Sequence, residues 1–236
     1  MISYASKYRS SEEEIMDNFN LQGEQLELLL SDLSVVNSWL GGNSITLGGI
    51  QKLLNKFPKK ESLTIIDVGC GDGEMLRRVH EAVNNESKDL ELKGLDANEH
   101  ILHLANSKSE AFKNITFQKV DITKDLGAIP PFDIALCTLF LHHLDDDDII
   151  FLLNKLIEKA RMGIIINDLH RSKWAFHLFK IFSRIAIKTD IAKHDGLVSI
   201  ARAFKKHELL KIAKKIDGHH SIRWKWAFRF QWIITK

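Results

Sequence analysis

The amino-acid sequence predicts an α/β protein built on a mostly parallel sheet of seven strands. Three observations carry this expectation. Short apolar or β-branched runs alternate with helical stretches between residues 63 and 167. Glycines cluster directly behind the first of these runs, and the final stretch, His220–Thr235, alternates in the manner of strands. A repeated β-α-β rhythm requires parallel strands joined by right-handed crossovers, with helices on both faces, which is a Rossmann-like arrangement.

Taken in order, residues 12–40 are expected to be helical, since Leu26, Leu29, Leu30, Leu33, Val36 and Leu40 recur at helical spacing and Gly41-Gly42 supplies a stop. A second helix is expected over 44–56, ended by Pro58. Residues 1–58 thus read as an N-terminal helical cap. Leu63–Val68 is the first buried strand, with a helix running to Val83. Strand Leu90–Leu95 leads to helix Glu99–Ser107, and Ile115–Val120 is the third strand. Phe132–Thr138 is the fourth, followed by a helix from Asp146 to Lys159 whose Asp145–Asp148 run suits a positive helix N-terminus. Met162–Asn167 is the fifth. Residues 171–216 exceed one crossover and read as a lid insertion between strands five and six, with helices at 172–188 and 205–216 around an irregular stretch. The last two strands form an antiparallel pair that turns near Ala227. Trp224, Trp226, Phe228, Phe230 and Trp232 are expected to pack against the sheet.

At 236 residues, with 44% apolar and 27% charged residues, the chain can bury one sizeable core and is not disordered by composition. Cys70 and Cys137 are too few for a disulfide framework or a metal-ligand pattern, so a reducing compartment and no metal are expected. The stretch Met1–Ser10 has no hydrophobic signal region, and no apolar run reaches the ~20 residues that span a bilayer, so the cytoplasm is the expected location. The net charge of +2 is split unevenly. Residues 168–236 hold sixteen Lys and Arg against five Asp and Glu, while residues 1–167 hold seventeen against twenty-six. A basic C-terminal third suits an anionic acceptor, a membrane surface or nucleic acid, or else consists of solvated helix faces.

The chemistry concentrates in Asp67-Val68-Gly69-Cys70-Gly71-Asp72-Gly73, where the first strand gives way to its helix. Glycines there allow a sharp turn and the close approach of a ligand to the main chain at the carboxyl edge of the sheet. Asp96, followed by Ala97, ends the second strand and can accept hydrogen bonds from both hydroxyls of a ribose. A dinucleotide loop would carry its third glycine one residue later, where Glu74 stands, and a glutamate would repel a pyrophosphate. No Lys-Ser/Thr follows, so this is not a P-loop.

On these residues the chain resembles the class I S-adenosylmethionine-dependent methyltransferases, well over residues 60–168 and loosely over the closing strands. Val68–Gly73 resembles the family's first motif, and Asp96 its ribose-binding acid. Asp121-Ile122 resembles the pair that flanks adenine, and Asp67 the acid that orients the loop and the methionine amino group. The run Cys137-Thr138-Leu-Phe-Leu-His-His-Leu144 resembles the motif after the fourth strand in members that act on small molecules. The resemblance implies S-adenosyl-L-methionine as cofactor and residues 59–236 as the methyltransferase domain. The cationic sulfonium tolerates acids such as Asp67 and Asp72.

Methyl transfer by SN2 displacement is largely positional, and a general base helps when the acceptor is protonated at neutral pH. Histidine suits that task. His170, in Asn167-Asp168-Leu169-His170-Arg171 after the fifth strand, is the first choice, with Asp168 as its orienter. His142 and His143 are the next, one expected to face the cleft and the other solvent. His194-Asp195-Gly196 is a weaker pair, read as a loop. A polar-Pro-Pro-aromatic motif of DNA-amine methylation is missing after strand four, since Pro130-Pro131-Phe132 precedes it, so no DNA partner is expected. O-, C- or S-methylation stays open on these residues; Asn167–Phe179 and His194–Leu209 resemble a bacterial branch of the family, and that resemblance implies a small, largely apolar acceptor, phenolic, polyketide- or quinone-like, for which methylation on oxygen is expected. An RNA or protein acceptor on the basic C-terminal third, or a non-catalytic cofactor-binding module, are the alternatives.

Overall fold

The computed structural model describes residues 2, 4–18, 21–57, 61–83, 89–122 and 129–236. Its sheet contains β1 (Ser62–Val68), β2 (Asp89–Asp96), β3 (Ile115–Lys119), β4 (Phe132–Thr138), β5 (Ala160–Leu169), β6 (His219–Lys225) and β7 (Arg229–Thr235). The strand order is β3-β2-β1-β4-β5-β7-β6. β7 pairs antiparallel with both β5 and β6, so it alone runs against the other six strands. Order reverses between β1 and β4, which opens a crevice beyond the carboxyl ends of the central strands.

Alternation along the strands divides the core into two layers. Ile66, Ala135, Ile164 and Trp232 lie on one face with Leu152, Leu153 and Leu156 of α5 (Asp146–Lys159) and Leu209 of α8 (Lys206–Ala213). Ile65, Ile134, Leu136 and Ile165 lie on the other with α2 (Gly42–Lys56) and α3 (Glu74–Val83). Gly49 brings α2 close to the sheet, because a Cβ there would stand 2.7 Å from Ile165 Cγ2. α5 starts as its acidic run predicts, with the Asp145 carboxylate accepting from the Asp148 N–H at 2.9 Å. The predicted end of α2 at Pro58 lies outside the described residues.

Three expectations require correction. Helix does not run through 12–40; α1 is confined to Glu24–Trp39 behind Gly23, whose φ is +65°. Of the residues before it, 4–18 form an extended strap with one 3-10 turn at Ile15–Asp17. The strap is held by tertiary bonds, including Ser10 N–H to the Ala201 carbonyl at 3.0 Å and Arg9 to the carbonyls of His142 and Leu144 at 3.0 and 2.8 Å. Second, the stretch between the two insertion helices is itself helical: α7 spans Asp190–Arg202, capped by Thr189, between α6 (Lys173–Ala186) and α8. His194-Asp195-Gly196 is therefore helix, not loop, and Gly196 gives Phe179 room to pack. Third, Phe230 and Trp232 are buried as expected, but Trp224 and Trp226 are 50% and 72% exposed. α1, α6 and α7 share a separate apolar cluster around Leu29, Phe176, Phe179 and Ile200.

Candidate active site

A cavity of about 370 Å³ occupies the crevice. Its floor is the turn after β1, where Gly69 and Gly71 have φ of +68° and +53°. At Gly69 a side chain would collide with the Phe140 ring, whereas at Gly71 nothing lies within 4 Å of a built Cβ. Gly71 thus leaves open a space beside the backbone for a ligand to enter. Asp96 buttresses the turn, its Oδ2 accepting from the Gly71 N–H at 3.1 Å and its Oδ1 from the Asn98 N–H at 3.0 Å. It is not the cap of α4 (Glu99–Lys108); Asn98 is. Burial raises the Asp96 pKa despite these donors.

Asp67 is nearly sealed in the cavity wall, and its Oδ1 has no hydrogen-bond partner among the described residues. Burial, and then the nearby Asp96 charge, lift its pKa well above the usual carboxylate range. Such an acceptor is free to take a donor from water or from a ligand in the cavity. Asp121 and Ile122 also line the cavity. Asp72, also on the wall, is engaged by Lys108 at 2.7 Å and Arg77 at 3.6 Å.

Of the sequence-predicted cofactor residues, Asp67, Gly69, Cys70, Gly71, Asp96, Ala97, Asp121, Ile122 and Thr138 converge on this cavity. Gly73 and Cys137 stand behind it. Gly73 packs under Phe117, and Cys137 is buried in the core. Thr138 meets Thr46 of α2 at 3.1 Å.

His170 is not among the residues lining the cavity. β5 continues to Leu169, so the next residue is carried past the crevice: its N–H bonds the Phe228 carbonyl at 2.8 Å, and its Nδ1 accepts from Trp224 Nε1 at 3.3 Å. Asp168 instead orients His142, with Oδ1 2.7 Å from Nδ1. Glu14 of the strap approaches His142 Nε2 at 3.4 Å and also accepts from Ser199 of α7 at 2.7 Å. Burial alone would lower the His142 pKa, but Asp168 and then Glu14 outweigh it and raise it to about 9. His143 does not face bulk solvent: it lines the same cavity, with Nδ1 3.1 Å from Asp17 Oδ1 and Nε2 4.0 Å from Glu14 Oε1. Among the described residues, Glu14, His142 and His143 form the one group gathered closely enough to hold a metal ion. The imidazoles are 4.3 Å apart and 33° from parallel, and the Nε2 atoms of both approach the same Glu14 oxygen.

Glu14, Met16 and Asp17 of the strap and Leu30 and Leu33 of α1 line the same cavity as the glycine turn. Sequence reasoning missed these strap residues, since nothing in local spacing ties Glu14 to a histidine more than a hundred residues away.

A family model described as a methyltransferase domain matches residues 59–215, more than half of the chain. A protein of Geobacillus sp. (strain WCH70), named as a candidate methyltransferase, is 26% identical over 135 residues, covering 56% of this chain. The chain spans about half the length of that relative, 52%. Among solved structures, the plantazolicin methyltransferase BpumL in complex with SAH superposes with a TM-score of 0.67 at 16% identity, over 87% of this chain and 89% of that one. Magnesium protoporphyrin IX methyltransferase from Synechocystis PCC 6803, with bound SAH, gives 0.54 at 18% identity over 83% and 84%. A methyltransferase from Aquifex aeolicus gives 0.55 at 18% identity over 78% and 87%. These likenesses establish a shared fold.

Proposed function

We propose, for a chain that belongs to the methyltransferase-domain family, that the crevice binds S-adenosylmethionine and passes its methyl group to a small, largely apolar acceptor held beneath the strap. The observation that carries this reading is the unpartnered Asp67 carboxylate oxygen in the same cavity as the open backbone at Gly71 and the Asp96 carboxylate. Asp67 would receive the ligand's amino group and Asp96 its ribose hydroxyls, while Asp121 and Ile122 would flank the base. A cavity rimmed by acids favours a sulfonium with an ammonium over a polyphosphate. The cofactor supplies an electrophilic methyl carbon; the chain supplies position.

The acceptor side is supported by Met16, Leu30, Leu33 and Leu169, which supply apolar wall beside the polar Glu14, Asp17, Ser34, Asn37, Ser199 and the two histidines. Such a chamber suits a phenolic, polyketide- or quinone-like molecule whose oxygen attacks along the line of the departing sulfur. His143 is the favoured general base, with Asp17 fixing its ring. His142 is already protonated at neutral pH by its two carboxylates and therefore holds the strap and its neighbour in place rather than accepting a proton.

Replacing His143 by Ala should lower kcat with phenolic acceptors by roughly 10²–10⁴-fold, while calorimetric affinity for S-adenosylhomocysteine stays within about twofold. Undiminished turnover removes the base. Failure of both S-adenosylmethionine and S-adenosylhomocysteine to bind the unmodified protein removes the cofactor assignment.

A further inference from the structure

Four large apolar side chains stand uncovered along α6. Trp174, Leu178, Ile181 and Ile185 are 73%, 52%, 60% and 85% exposed. At 3.6 residues per turn they fall within an arc of about 60°, a continuous stripe along the helix. The helix does not need this stripe for folding, because its opposite face already buries Ala175, Phe176 and Phe179 against α1 and α7. Beside the stripe, Lys173, His177, Lys180 and Arg184 form an exposed row, and Lys188 follows just beyond the helix end. α6 contains no Asp or Glu. On the other flank Trp39, 71% exposed, meets Phe182 edge-on at 6.3 Å and widens the apolar band.

We propose that this face seats α6 lengthwise on an anionic phospholipid surface. The apolar stripe and the two tryptophans would enter the zone between headgroups and acyl chains, and the basic row would lie at the level of the phosphates. Charge selects lipid over a second copy of the chain: antiparallel two-fold pairing of two such helices sets basic row against basic row, whereas anionic headgroups neutralise it. Contact is peripheral, since among the described residues no helix is long and apolar enough to cross a membrane. α6 packs on α7, whose Ser199 lines the cavity, so the docked face lies one helix layer from the acceptor chamber. The inference stands on the surface alone and does not depend on which acceptor is methylated.

The test is co-sedimentation of the full chain with vesicles of phosphatidylcholine alone or with phosphatidylglycerol added, alongside Trp emission and light-scattering mass. The protein should partition to the anionic vesicles at low salt, with blue-shifted emission, and should be released by high salt. The exposed pair Ile181→Asp and Ile185→Asp should reduce partitioning at least about tenfold, as should Lys180→Glu with Arg184→Glu. Lys214→Glu with Lys215→Glu, exposed on another surface, should retain it. No partitioning at low salt, equal loss in the Lys214/Lys215 control, or a concentration-dependent dimer abolished by the Ile181/Ile185 pair would each overturn the proposal.

Discussion

Nδ1 of His142 lies 2.7 Å from Oδ1 of Asp168, and both side chains are sealed from solvent. Folding thereby binds a proton tightly. An unfolded histidine titrates near 6.5, whereas here, with burial opposing and Asp168 and Glu14 prevailing, the value is about 9. A raised pKa contributes stability that is fully present below 6.5 and is lost as pH rises through about 9. Tm should therefore fall across that window, and His142→Gln should flatten the fall. Thermal melts at several pH values decide it; an unchanged slope would mean that another group is responsible.

Gly71 and Gly163 should respond oppositely to alanine. At Gly71 a methyl group meets no protein atom, so Gly71→Ala should cost only ~1–2 kcal/mol for its left-handed backbone, yet weaken S-adenosylhomocysteine binding at least tenfold by occupying ligand space. At Gly163 the new Cβ would sit 2.2 Å from the Ile234 carbonyl oxygen, so Gly163→Ala should destabilise the β5–β7 pairing itself. Paired melts and calorimetry separate the two; normal affinity in Gly71→Ala would place the ligand elsewhere.

Asp67→Asn should weaken ligand binding without weakening the empty protein. Its buried carboxylate is raised in pKa by burial and by Asp96, so its charge opposes folding at neutral pH. Loss of one charged hydrogen bond corresponds to ~1.5–3 kcal/mol, roughly 10–100-fold in affinity. A lower Tm with undiminished binding would contradict the assigned role.

Arg171 is fully buried, donates to the Ala203 carbonyl and pairs with Glu208, its Nη2 lying 2.5 Å from Oε1. Glu208 also takes the Lys205 N–H at 2.7 Å, closing the start of α8. Arg171→Leu should cost about 3 kcal/mol, since it leaves a partly buried carboxylate without its cation. Denaturant unfolding measures this; a loss below ~1 kcal/mol would show the pair to be dispensable.

The glycine turn, Asp96 and the strand sequence were legible because they depend on local spacing: a carboxylate at the end of one parallel strand stands beside the turn of the next. Gly71 and Asp96, twenty-five residues apart, meet for that reason. His170 falls away from the cavity because β5 runs three residues beyond Ile166, through Asn167-Asp168-Leu169, paired with β7 throughout. The polar residues looked like a loop but are strand, and the histidine they deliver faces Trp224 and Phe230. α7 was hidden because Gly196 and the buried Asp195 interrupt its apolar periodicity. Asp195 is buried to receive the N–H groups of Ile15 and Met16, each at 2.9 Å. Glu14 could not be read from sequence at all, since only the folded strap brings it to His142.

That strap makes the two halves of the crevice separate in construction. The glycine turn and its carboxylates belong to the sheet and are fixed by strand geometry, whereas the chamber roof is borrowed from a ribbon fastened by Arg9, Ser10 and the Asp195 carboxylate. Substitutions in the strap would reshape the space above without touching Gly71 and Asp96 below.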